Sequence, residues 1–173
     1  MNKTRGRKPN TNRFVDCGEF YKGYTAKGIE YLFDKDDYEK ISKYSWCVGC
    51  GDRLVANTNK KVVYMHRYIL GYPDGIVDHI NGNNKDNRKS NLRVTDRTGN
   101  ARNNISHNKF GVNGIKLTPS NKYYTRITVN YKEIYLGTFS TLREAIDARI
   151  AAEKKYFGEY APYKRYDKEV INR

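Results

Sequence analysis

Asp78 and His79 are neighbours in the run Val77-Asp-His-Ile80; Asn91 follows His79 by 12 residues, and Asn100 follows Asn91 by 9. Adjacent side chains on a strand point to opposite faces, so the Asp-His pair can serve two different partners. An imidazole titrates near neutrality and is suited to take a proton from water. A carboxylate oxygen is a hard donor of the kind Mg²⁺ prefers, and Mg²⁺ keeps several waters in its shell. Hydrolysis of a phosphodiester needs both functions: water is activated against phosphorus, and the departing 3'-oxygen is stabilised. The asparagines fit around the pair. Asn91 falls where a second strand begins, placed to tie down loop backbone and hold the imidazole. Asn100 falls one to two turns into a following helix, which can bring its carbonyl oxygen beside Asp78 if the helix packs across the hairpin. Taken singly, an asparagine in such a segment is a turn residue, because it tolerates left-handed backbone and makes its own turns. On that ground Asn83, Asn84, Asp86 and Asn87 are assigned to the loop, and only the combination singles out Asn91 and Asn100.

These residues need a strand, a long loop, a second strand and a helix to position them. VDHI reads as the first strand, NGNNKDNRKS as the loop, NLRVT with alternating Leu92 and Val94 as the second strand, and DRTGNARNN as a helix with Thr95 at its N-cap. Upstream, EFYKGYT, IEYLFD, RLVANT and KVVYMH alternate between turn residues and read as small antiparallel strands. DKDDYEKISKYSW, with Tyr38, Ile41 and Tyr44 recurring at threes, predicts a short helix ending near Trp46. RYILGYP after His66 predicts another helical turn or two, stopped by Gly71 and Pro73.

Charge narrows the partner. Lys and Arg number 33 against 19 Asp and Glu, a formal net charge of +14 over 173 residues, which points to a polyanion, nucleic acid first. Sixteen tyrosines add aromatic planes among the cations. Arg67 and Arg93 flank the motif and are candidate phosphate contacts. No run approaches the roughly 18 apolar residues of a membrane span, and the basic N-terminus lacks the apolar stretch of a signal peptide, so a cytoplasmic protein is expected. Cys17, Cys47 and Cys50 are an odd number in a reducing compartment, so no disulfide framework is expected. The lone CVGC lacks the second pair a closed zinc site needs, so no zinc is expected and a tight turn using Gly49 and Gly51 is the better reading.

The two ends differ from the middle. Residues 1–13 carry five basic residues and no acids, and read as a flexible basic arm. In the last third, GIKLT, YYTRITVN and EIYLGTF alternate with period two. Thr141 to Glu144 then has the spacing of a capping box, and Leu142, Ala145, Ala148, Ala152 and Tyr156 follow at helical intervals before Gly158. That is three strands covered by one helix. If Ile127 and Val129 pack under the helix, Tyr124, Arg126 and Thr128 face away, with Lys116, Thr118 and Tyr135 beside them.

The segment from His66 to Asn104, with its HR pair, VDHINGNNKDNR, SNLR and an Asn-bearing helix, resembles the HNH nuclease motif of the ββα-metal type, in the branch of phage and intron-encoded homing endonucleases. The resemblance implies His79 as general base, Asp78 and Asn100 as ligands of Mg²⁺ or Mn²⁺, and Asn91 as the middle asparagine that fixes the loop. Residues 111–161, through NGIKL, YYTRITV and YLGTF followed by the helix, resemble the AP2 DNA-binding domain. Asn113, Thr118, Thr128 and Tyr135 stand where plant members carry arginines or tryptophan, so no particular target sequence follows. RGRKP in the arm resembles the Arg-Gly-Arg-Pro minor-groove hook, with Lys8 inserted, which adds Arg5, Arg7 and Lys8 as candidate DNA contacts.

The expected fold is α+β: a basic arm over 1–13, an HNH domain over 14–104 with a small β-rich scaffold, a linker over 105–110, an AP2-like sheet plus helix over 111–163, and a tail over 164–173. The expected function is metal-dependent cleavage of double-stranded DNA by a monomer, with dimerisation as the route to a double-strand break. The rival is a non-enzymatic DNA-binding regulator built on a degenerate HNH scaffold; a third reading, an RNA-binding or ribosome-associated protein, explains the charge but not the constellation.

Overall fold

Alternation of large aromatics with polar residues near the N-terminus builds a sheet with one buried face. The structure, a computed structural model, describes residues 11–58, 61–103 and 109–166. Strands β1 (Arg13–Asp16), β2 (Phe20–Tyr24) and β3 (Glu30–Asp34) pair antiparallel in that order. The period of two sends Tyr31 and Phe33 of β3 into the core and leaves Leu32 on the other face. Gly23 sits directly opposite Tyr31, and a Cβ there would come within 2.2 Å of the tyrosine ring, so only glycine fits. A second antiparallel sheet follows, made of β4 (Cys47–Val48), β5 (Leu54–Asn57) and β6 (Val62–Tyr64). Helices α1 (Tyr38–Ile41) and α2 (Met65–Ile69) contribute Ile41, Met65 and Ile69 to the same core as Trp46, Leu54 and Val63.

Two expectations for this region change. The helix predicted to reach Trp46 stops after Ile41, because the chain must turn inward to bury Trp46, whose indole donates to the carbonyl of Ile41 at 2.8 Å. The short helix expected after His66 begins one residue before it and buries the His66 ring.

Strands β7 (Ile76–His79) and β8 (Leu92–Thr95) form an antiparallel hairpin, with Asp78 opposite Arg93 and His79 opposite Leu92. Helix α3 (Arg97–Arg102) follows. Its N-cap is Asp96 rather than Thr95: the Asp96 carboxylate accepts from the Gly99 N–H at 2.7 Å, while Thr95 is still the last residue of β8.

The chain divides into two compact units between Thr95 and Asp96, ahead of the 105–110 segment read as the linker. Of that segment, residues 105–108 lie outside the described residues, and Phe110 packs against a core cluster of the second unit. Strands β9 (Ile115–Leu117), β10 (Tyr123–Val129) and β11 (Lys132–Phe139) form a three-stranded antiparallel sheet with β10 in the middle, and α4 (Leu142–Phe157) packs on it. The capping box forms as its spacing requires, Thr141 accepting from the Glu144 N–H and Glu144 accepting from the Thr141 N–H. The buried stripe of α4 includes a charged pair, Arg149 and Glu153, joined at 2.8 Å.

Of the segments read as arm and tail, the described residues Asn12, Arg13 and Tyr166 are held in the fold. Asn12 accepts from the Trp46 N–H and donates to the Trp46 carbonyl, and Arg13 opens β1. Tyr166 is buried and donates to Glu153 at 2.5 Å. No described helix is long and apolar enough to cross a membrane.

Candidate nuclease site

The loop between β7 and β8 is held from two sides. From below, β3 takes it as an extra partner: the Leu32 N–H donates to the Lys85 carbonyl, the Asn87 N–H donates to the Leu32 carbonyl, each at 2.8 Å, and the Lys89 N–H donates to Asp34. From within, Asn91 accepts from the Asn81 N–H at 2.9 Å and donates to the Asn81 side-chain oxygen at 2.9 Å and the Asp86 carbonyl at 2.7 Å. A short, buried side chain thus spans both ends of the loop. Asp86 completes the frame through two bonds from Arg88 and one from Asn81. Burial by itself would raise the Asp86 carboxyl, but Arg88 outweighs it and holds the group below the usual carboxylate range.

His79 points into this frame. It is 4 % exposed, and its Nε2 lies 3.2 Å from the Asn87 side-chain oxygen. An amide oxygen only accepts, so Nε2 carries the hydrogen and the basic lone pair is on Nδ1. Burial pushes the imidazole below its ordinary pKa, partly offset by Asn87 and Asp78. The His66 ring lies 5.3 Å from the His79 ring, centroid to centroid. His66 is also buried, its Nδ1 has no hydrogen-bond partner among the described residues, and burial followed by His79 pushes its pKa down to about 3.

On the opposite face of β7, Asp78 accepts from Arg93 Nε at 3.1 Å and Nη2 at 2.9 Å. Asn100 is exposed on α3, in the second unit. The structure therefore brings His79, Asn91, Asp78 and Arg93 onto one hairpin. Arg67 is spent locally, donating to the carbonyls of Pro73 and Gly75, so it braces the segment entering β7. The sequence reading missed Asn87. Its type and place match any turn asparagine, and only the pairing of the loop with β3 buries it beside the imidazole.

In the second unit, the register puts Lys116 opposite Tyr124, Arg126 opposite Tyr135 and Thr128 opposite Glu133, so these share the face turned away from α4. The Tyr124 and Tyr135 rings stack at 5.3 Å. Thr118 does not join them: it lies past the end of β9, where its hydroxyl and backbone close the turn to Lys122. The face also carries an acid the parity argument did not weigh, Glu133, which pairs with Arg126 and accepts from Tyr124. A cleft of about 640 Å³ in the same unit is lined by Arg97, Arg102, Arg126 and Arg149 and by no carboxylate. Arg5, Arg7 and Lys8 lie outside the described residues.

Residues 63–102 match the family model of the HNH endonucleases. The matched segment holds α2, the β7–β8 hairpin and α3, and with them His66, Asp78, His79, Asn87, Asn91, Arg93 and Asn100. The chain is also 28% identical over 150 residues to an uncharacterized HNH endonuclease of Acanthamoeba polyphaga mimivirus, covering 82% of this chain and 78% of that protein. The second similarity runs well beyond the HNH segment. No solved structure matches. An HNH segment supports a nuclease, and nucleases of this family act on DNA with a divalent metal.

Proposed function

We propose that the protein is a metal-dependent endonuclease that hydrolyses phosphodiester bonds of double-stranded DNA, in the manner of the homing enzymes, with the AP2-like sheet binding DNA. The observation that carries this reading is the placement of His79: buried, with its Nε2 held against the Asn87 side-chain oxygen, the tautomer in which Nδ1 is the basic nitrogen. Nδ1 takes the proton of the attacking water. Asn87 steadies the ring as it becomes charged, and Asn91 holds the loop that carries Asn87.

Asp78 and Asn100 are the residues that would hold Mg²⁺ or Mn²⁺. Their hard oxygen donors suit either ion, and among the described residues no three His, Cys, Asp or Glu side chains cluster into a ready-made metal site, so water and phosphate oxygens must fill the rest of the shell. When bound, the cation stabilises charge on the departing 3'-oxygen. On the sheet, Lys116, Tyr124, Arg126, Thr128 and Tyr135 form the DNA face, with Arg126 transferring from Glu133 to phosphate; Arg5, Arg7 and Lys8 of the basic arm are further DNA contacts. The protein acts in the cytoplasm as a monomer, one strand per hairpin.

Supercoiled plasmid incubated with Mg²⁺ should be nicked, and EDTA should stop the reaction. His79→Ala should lower the rate about 10²-fold or more, the scale of a positioned general base, while gel-shift affinity is retained. Plasmid that is bound but stays intact at every Mg²⁺ and Mn²⁺ concentration would make the protein the DNA-binding regulator instead.

A further inference from the structure

The cross-strand pair of Asp78 and Arg93 places a cation where the proposed metal ligand has its lone pairs. The two residues are direct neighbours across the hairpin, both guanidinium bonds fall on the same carboxylate oxygen, and only 13% of the Arg93 side chain and 11% of the Asp78 side chain are exposed. A divalent cation approaching Asp78 meets a carboxylate whose charge is already balanced and a positive group within a few ångströms. A guanidinium fork, however, matches a phosphodiester as well as it matches a carboxylate.

We propose that Arg93 is a placeholder that couples metal binding to DNA binding: it holds Asp78 while no DNA is present, and it moves its fork onto a backbone phosphate when DNA docks, leaving the carboxylate for the metal. This rests on the reading of Asp78 as a metal ligand. The same hairpin provides a contrast. The Asp86–Arg88 pair is committed to the loop frame, since Asp86 is 2 % exposed and also accepts from Asn81. Arg93 instead reaches Asp78 across a two-stranded hairpin, on the face opposite His79. Because coupling between two ligands is reciprocal, metal should tighten DNA to the same degree that DNA tightens metal.

The test is Mn²⁺ binding to the full chain, followed by the paramagnetic resonance of free Mn²⁺, without DNA and with a short duplex, after subtracting what the duplex binds alone. Wild type should bind Mn²⁺ weakly without DNA and gain about tenfold with it, within the usual range of such coupling. Arg93→Met should bind Mn²⁺ about tenfold more tightly than wild type without DNA, and the further gain on adding DNA should be smaller than the wild type's, reduced to what phosphate oxygens add directly to the metal. Arg93→Lys keeps the charge but not the fork: Mn²⁺ binding without DNA should stay weak while the DNA-dependent gain shrinks, which preserves the test if the methionine variant folds poorly. Asp78→Asn separates the two layers. If it abolishes Mn²⁺ binding while Arg93→Met binds as wild type does, the placeholder is overturned and the metal site stands. If Asp78→Asn leaves Mn²⁺ binding unchanged, the metal site itself is wrong and the placeholder falls with it.

Discussion

The chemistry proposed for His79 depends on Asn87, its side-chain partner. Its amide oxygen fixes which imidazole nitrogen carries the hydrogen, and its burial fixes where the ring points. Asn87→Ala removes that acceptor and leaves a buried N–H to find another. Cleavage should fall about 10- to 100-fold, the range for a group that orients a site residue, and gel-shift affinity should not change. Asn87→Asp separates orientation from simple loss of packing, because a carboxylate also accepts from Nε2 but raises the imidazole pKa. Its pH–rate profile should shift to higher pH than that of the wild type. Identical profiles for the two proteins would show that Asn87 does not govern the base.

At the scale of elements, the site is as well placed as β3 is. That strand buries Tyr31 and Phe33 on one side, and its Leu32 backbone holds the β7–β8 loop. Gly23 on β2 makes this possible by leaving room for the Tyr31 ring. Gly23→Ala forces a methyl against a fully buried ring and should cost about 1–3 kcal/mol, the usual penalty for overpacking, measured by denaturant unfolding. Any shift of β3 passes to Lys85 and Asn87 through Leu32, so cleavage should fall more than DNA affinity does. A variant as stable and as active as wild type would mean that Tyr31 repacks without moving the strand.

Across the whole molecule, acid should loosen the first unit. The unfolded His66 imidazole titrates near 6.5 and the folded one near 3. Between those values the unfolded chain binds more protons, so stability falls as pH falls; above 6.5 the imidazole is neutral in both states and its contribution is complete. The slope from this residue approaches about 1.4 kcal/mol per pH unit within the window. His79, shifted the same way, adds to it. His66→Phe keeps a ring in the core and removes both the titration and the partnerless Nδ1. Urea unfolding at a series of pH values should show a shallower acid limb for the variant, and an equally steep limb would assign the acid sensitivity elsewhere.

Local chemistry was legible in the chain itself. The period-two strands and the Thr141–Glu144 cap act through neighbours a few residues apart, and a sequence displays such neighbours directly. The turn of the chain at Ser42 that buries Trp46 was not legible, nor was the pairing of Leu32 with the loop more than fifty residues later, nor Glu133 facing Arg126. Each depends on which segments meet in three dimensions. The same asparagine is a solvated turn residue at position 83 and a buried partner of the His79 imidazole at position 87, because the backbone of β3 lies under one and not the other. Residue types set what the site can do; desolvation by distant strands decided which copies of those residues do it.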